Sequence, residues 1–259
     1  MSGPALARRA VLLVAVVVAT LAPAASTAAA PAAASASLPL AGKTVVLDPG
    51  HDGGNAAHPE IVNKLVYAGN GLWKPCNTTG TATAAGYSEH AYTWDVAKRA
   101  ATVLRDRGAK VVLTRAGDTG VGPCINTRAR IGNQNAADAV VSIHADGNTA
   151  PGARGFHVIM PSWSGTPSTV RRASASLGAT LRATFRSTTG LPYANYVAGG
   201  DALDQRSDLG GLNLSSRPVA MIETGNMRNR TDAAVLSSAS GRQRIAQGIA
   251  AAISIYLRR

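Results

Sequence analysis

Lys43-Thr44-Val45-Val46-Leu47-Asp48-Pro49-Gly50-His51-Asp52-Gly53-Gly54 decides how this chain is read. Thr44 to Leu47 are β-branched or aliphatic, the short apolar run of a buried strand. Asp48-Pro49-Gly50 is expected to stop it. Proline has no N–H for a sheet, and Gly50 permits a sharp turn. His51 then falls just past the carboxyl end of a strand, where open α/β sheets collect ligands and catalytic groups.

Three later stretches repeat the setting. Ala139 to Ile143 is an apolar run that ends on His144. A second histidine leaving a strand end sets metal binding level with a structural role, because imidazole is the commonest metal ligand. Pro218 to Ile222 is the last such run and delivers Glu223. An acid there is costly to bury unless it is paired or metal-linked. Glu89 opens a helix that Ser88 caps and Gly108 ends, with Trp94, Ala97, Ala101 and Leu104 as its apolar stripe. In that first turn the helix dipole favours a charged carboxylate. His51, Glu89, His144 and Glu223 are read as one site, although spacing alone leaves Glu89 an ordinary first-turn acid.

The remaining punctuation supplies the frame. Lys110–Thr114 and Gly155–Met160 read as strands, and His157 inside the second is expected to be a satisfied core side chain. Helices are expected near Thr127–Asn135, from Thr166-Pro167 to Arg186, from Thr231, and around Ile245, Ile249, Ala252 and Tyr256. Asp52 to Tyr87 lacks a helical period and reads as an ordered loop or hairpin. Residues 191–214 read as irregular, with one short strand near Tyr196. Strands alternating with helices give a single α/β domain, a largely parallel twisted sheet of about six strands flanked by helices.

Residues 1–36 fall outside that domain. Arg8-Arg9, the apolar stretch from Ala10 to Leu21 and the small residues after it have the form of a secretory signal peptide, so 37–259 is the expected mature domain. No other stretch is long and apolar enough for a membrane span. An exported destination follows: periplasm, cell wall or extracellular space. The formal charge is +12, and two of those charges belong to the leader. Scattered arginines and few aromatics argue against nucleic acid, and an anionic extracellular polymer such as a cell wall fits better. Two cysteines in an exported chain, Cys76 and Cys124, suggest a disulfide; separate thiols or soft metal ligands are the alternatives.

Taken together, Val46 to Gly54, Ser88-Glu89, Leu113-Thr114-Arg115, Arg128 with Ala137-Asp138, Ser142 to Ala145, and Pro218 to Gly225 with Asn229 and Asp232 resemble the secreted zinc-dependent N-acetylmuramoyl-L-alanine amidases of the type-3 amidase fold. The resemblance covers about residues 42–258. It implies a zinc ion held by His51, Glu89 and His144, with Glu223 as the catalytic base. It implies peptidoglycan or muramyl-peptide fragments as substrate, cut between the lactyl group of muramic acid and L-alanine. Asp52, Asn213, Trp73 and Arg128 are candidate substrate contacts, Tyr67 is available beside Trp73, and a monomer is expected.

The chain departs from the family pattern in places. The His51–Glu89 spacing is long, which leaves Glu60 as a fallback ligand. An aromatic is missing after Gly225. The stretch from His157 to Pro192 leaves no room for the inserted helix that blocks the metal in some relatives. Two other readings stand beside the amidase: a non-catalytic peptidoglycan-binding module, and a zinc carboxypeptidase acting on wall peptides.

Overall fold

The computed structural model describes residues 1–3, 10, 12–17 and 37–258. The chain divides into Met1–Ala36 and Ser37–Arg259. Most of the leader expected over 1–36 lies outside the described residues. No helix among the described residues is long and apolar enough to cross a membrane.

In chain order the folded unit runs β1 (Thr44–Pro49), α1 (Pro59–Val62), β2 (Leu65–Tyr67), β3 (Trp73–Pro75), α2 (Glu89–Asp106), β4 (Lys110–Leu113), α3 (Ile125–Gln134), β5 (Ala139–Asp146), β6 (His157–Pro161), α4 (Ser168–Thr189), β7 (Leu203–Arg206), α5 (Gly210–Asn213), β8 (Val219–Asn226), α6 (Arg230–Ser237) and α7 (Ala239–Leu257). Six strands form one sheet in the order β4-β1-β5-β8-β6-β7. The β4, β1, β5 and β8 strands run parallel, β6 is antiparallel to β8, and β7 is parallel to β6. The expectation of a single, largely parallel α/β domain holds.

Side-chain alternation sorts the strands into two unequal faces. Val45, Leu47, Val141, Ile143, Ala220 and Ile222 face the main core, with Leu177, Phe185, Ile245 and Ile249 from the helices. Here α7 packs against both α2 and α4. The other face carries a smaller cluster of Val46, Val140, Ile159 and Val219 under Leu212. Toward the carboxyl ends of the strands this second face turns polar: Asp48 on β1, Ser142 and His144 on β5, Glu223 on β8.

That alternation corrects the expected strand ends. The β1 strand runs through Pro49, β5 through Asp146 and β8 through Asn226. An apolar-run criterion halts at the first polar residue, but these polar residues continue the period of two on the thin face. Pro49 is tolerated because β4 pairs with β1 only as far as Leu47. The Pro49 carbonyl instead accepts hydrogen bonds from Arg115 Nε (3.1 Å) and Arg128 Nη1 (2.7 Å).

Other expectations shift locally. Tyr92 and Val96 are fully buried on α2, whereas Trp94 is half-buried with Arg115 5.1 Å from its ring centroid. Ser88 occupies the N-cap position without a side-chain hydrogen bond. The strand expected near Tyr196 lies instead at β7; closer to Tyr196 there is only an isolated bridge from Tyr193 to Phe156.

Asp52 to Tyr87 is ordered: a short 3₁₀ turn, α1, and the antiparallel β2–β3 hairpin. A Cys76–Cys124 disulfide ties the residue after β3 to the start of α3, at a sequence separation of 48. In a chain-entropy account that closure contributes about 4 kcal/mol. Cys76→Ser with Cys124→Ser should lower the melting temperature by roughly 10 °C in a calorimetric scan. An unchanged transition would mean the other contacts of the segment already restrain it.

Candidate active site

His51, Glu89 and His144 converge, with one ligand atom from each lying within 4.8 Å of the others. His51 Nε2 is 3.0 Å from Glu89 Oε2, and His144 Nδ1 is 3.0 Å from Glu89 Oε1. The two imidazoles meet edge-on at 85°. Glu60 is not part of this group; it is exposed on α1 beside His58. The long His51–Glu89 spacing is taken up by the hairpin excursion.

Each of the three side chains is held from behind. His51 adopts a left-handed backbone conformation (φ 61°), unusual for a residue with a Cβ and common where a site dictates geometry. The expected role of Gly50 as the turn residue moves to His51. Gly50 is needed for close approach, since a Cβ there would stand 2.3 Å from the His144 ring. Gly80 combines φ +78° with a virtual Cβ 2.8 Å from Glu89 Oε2. His51 Nδ1 lies 3.0 Å from the Thr78 carbonyl oxygen. A carbonyl only accepts, so this contact favours a proton on Nδ1 and leaves Nε2 as the nitrogen that could hold a metal. Glu89 accepts N–H bonds from Thr81 (3.0 Å) and Ala145 (3.1 Å). Burial alone would raise the Glu89 carboxyl, but His51 and His144 outweigh it and hold it well below the ordinary range. A buried carboxylate kept ionised between two imidazoles, one with its tautomer favoured by a carbonyl, is a donor set that fits a divalent transition metal.

Strand register places Glu223 beside the triad. His144 on β5 pairs with Glu223 on β8, which pairs with His157 on β6, giving one row across three strands. Glu223 Oε2 and His157 Nδ1 are both buried without a hydrogen-bond partner among the described residues. His157 is therefore not the satisfied core histidine expected from its apolar strand. Burial first, then the negative charges of Glu89 and Asp146, push the Glu223 carboxyl well above its ordinary value, with Arg206 pulling weakly the other way. This is the environment that lets a carboxyl accept and hold a proton near neutral pH.

The other candidates divide. Arg128 is buried and spends its guanidinium on the frame: Nη1 donates to Asp48 Oδ1 (2.8 Å), Nη2 to the His51 carbonyl (2.8 Å) and Nε to the Pro123 carbonyl (2.8 Å). Asp48 also accepts from Thr114 (2.6 Å) and Ser142 (2.7 Å). Burial pushes the Asp48 carboxyl up, yet Arg128 and the two hydroxyls together hold it below its ordinary value. A depressed carboxyl stabilises the fold above its unfolded pKa, and that contribution is lost as pH falls through the folded value. Arg128→Ala should cost about 3–5 kcal/mol in urea titrations at neutral pH, because it strands a buried carboxylate. Arg128→Ala with Asp48→Asn should recover part of that loss, and a double variant no better than the single would contradict the pairing.

Asn213 Nδ2 donates to the carbonyls of Ala68 (3.0 Å) and Ser207 (2.9 Å), clamping the hairpin instead of facing the cleft. Asp52 is buried and accepts from the Gly53 N–H. Trp73 is exposed and meets Tyr67 edge-on at 5.8 Å across the hairpin. Asn229 caps α6, while Asp232 accepts from the N–H groups of Gly155 and Asn226, so both are structural. Thr78, Thr81, Asp146 and Arg206 also line the groove over Glu89 and Glu223. Arg206 lies in a stretch without periodicity, and only the fold brings it there.

The family model described as N-acetylmuramoyl-L-alanine amidase, Amidase_3, matches residues 45–254. The chain belongs to this family. Among amidase relatives, N-acetylmuramoyl-L-alanine amidase Rv3717 of Mycobacterium tuberculosis is 38% identical over 247 residues, covering 95% of this chain and 97% of the relative. The crystal structure of the amidase Ami1 from Mycobacterium smegmatis superposes with a TM-score of 0.79 at 38% identity, over 84% of this chain and 98% of that one. The apo form of Ami1 from Mycobacterium abscessus gives 0.79 at 41% identity, over 84% and 99%.

Proposed function

We propose that this amidase hydrolyses the amide between the lactyl group of N-acetylmuramic acid and L-alanine, in peptidoglycan or its muramyl-peptide fragments, using a zinc ion. The observation that carries the reading is a two-imidazole, one-carboxylate triad with a fourth group, Glu223, buried beside it on the neighbouring strand. His51 Nε2, a Glu89 oxygen and His144 Nδ1 would hold the metal. Three protein ligands are the number that leaves a catalytic zinc a position for chemistry. When bound, zinc supplies Lewis acidity, lowering the pKa of a water to about 7 and polarising the scissile carbonyl.

The protein's own part falls to Glu223. Its carboxylate takes the proton of the attacking water and returns one to the amine of L-alanine as that bond breaks. The raised proton affinity imposed by burial suits both halves of the transfer. Trp73 and Tyr67, exposed on the hairpin, are available to stack on sugar or peptide. Residues 1–36 are taken as an export leader, and 37–259 as a monomeric catalytic domain acting outside the cytoplasm. Chelation followed by add-back of single metals tests the cofactor: zinc should restore release of stem peptide, and full activity after complete chelation would refute a metal mechanism.

A further inference from the structure

Two hollows meet at His51 and His144. One, of about 240 Å³, lies under the hairpin against Leu209, Leu212 and Met221. The other, of about 380 Å³, opens over Glu89 and Glu223. Arg206 is the one lysine or arginine among the residues lining this second groove, which otherwise presents the acids Glu89, Asp146 and Glu223.

Arg206 is oriented before anything binds. It ends β7, in register with Pro161. Its Nε and Nη2 each donate to Asp208 at 2.8 Å, and Lys74 Nζ donates to the same carboxylate at 2.9 Å. Asp208 thus grips one edge of the guanidinium. Among the described residues Nη1 makes no hydrogen bond, and the side chain is 41% exposed. A fixed, half-exposed guanidinium with one nitrogen free is a carboxylate receptor.

Its side of the cleft can be assigned. Glu223 returns a proton to the leaving alanine amine, so the leaving peptide lies on the Glu223 side. Arg206 lines the same groove as Glu223. We propose that Arg206 is a specificity-determining residue, binding through Nη1 a carboxylate on the peptide within a residue or two of the leaving alanine. The preferred substrate class is then an acidic stem peptide with that carboxylate free. This inference rests on the amidase reading and adds to it which peptides the site selects.

The test uses two synthetic muramyl tripeptides that differ only at the residue after alanine, one with its carboxylate free and the other with a carboxamide. The wild-type protein should show a KM about tenfold lower for the free carboxylate, the scale of one half-exposed charge-assisted hydrogen bond. Arg206→Gln should bring the two KM values together at unchanged metal content, and Arg206→Lys should keep part of the preference. Lys74→Gln, which removes only the other cation on Asp208, should leave the ratio intact. Because both peptides meet the same Glu223, the ratio is insensitive to any change in that group's proton affinity. Equal KM values in the wild type, or an undiminished ratio in Arg206→Gln, overturn the assignment. Wild-type protein that cuts the carboxamide peptide but shows no preference removes Arg206 alone; protein that cuts neither peptide removes the amidase reading and this inference with it.

Discussion

Glu223→Gln should lose about 10²–10⁴-fold in kcat, the usual contribution of a positioned general base, while its metal content stays that of the wild type. The variant is nearly isosteric, so the fall reports proton transfer and not a vacated cavity. Its stability supplies an independent check on the metal-free protein. Burial, then Glu89 and Asp146, raise the folded-state proton affinity of Glu223 above its ordinary value of 4.5. A carboxyl raised in this way costs nothing below its unfolded pKa, and it destabilises the fold increasingly as pH rises toward the folded value. Glutamine escapes that penalty. Metal-free Glu223→Gln should therefore melt at or above the wild-type temperature at neutral pH, with the gap closing in acid. A variant that keeps most of its kcat would reduce Glu223 to a structural acid.

Loss of a triad ligand should be as severe by another route. His51→Ala and His144→Ala each leave two of three ligands, and both should lose stoichiometric metal and nearly all turnover. The residual carboxylate explains why no rescue is expected from the fold: Glu89 is buried and lies within 3.0 Å of both rings. Affinity should also fall as pH drops. Burial lowers the proton affinity of His51, but Glu89 outweighs it and the net shift is upward. Protons therefore compete for this ligand at a higher pH than for a free imidazole. Metal analysis after dialysis across mildly acidic pH measures this directly, and full occupancy in either alanine variant would contradict the ligand set.

Much of this is legible in the sequence alone. Apolar runs marked β1, β5 and β8, and the histidines and the acid after them fell at one edge of the sheet because parallel strands share that edge. The strand ends were misjudged where polar residues continued the alternation, at Asp48, His144 and Glu223. Register was beyond reach: only pairing across β5, β8 and β6 sets His144, Glu223 and His157 in a row. Arg128 looked like a groove cation because charge is visible in a sequence and burial is not. In the fold it holds Asp48 and the His51 carbonyl from beneath. Asp52 to Tyr87 reads as an ordered loop or hairpin, but the short β2 and β3 strands show no apolar alternation that would place them within it.

Mass spectrometry of purified peptidoglycan digested by the protein tests the central claim most directly. The account predicts intact stem peptides with a free L-alanine amino terminus and glycan strands left with unsubstituted lactyl groups, and neither product with Glu223→Gln. Release of single amino acids from peptide carboxyl ends would make the protein a carboxypeptidase. Binding to the wall without any new terminus would make it a non-catalytic module.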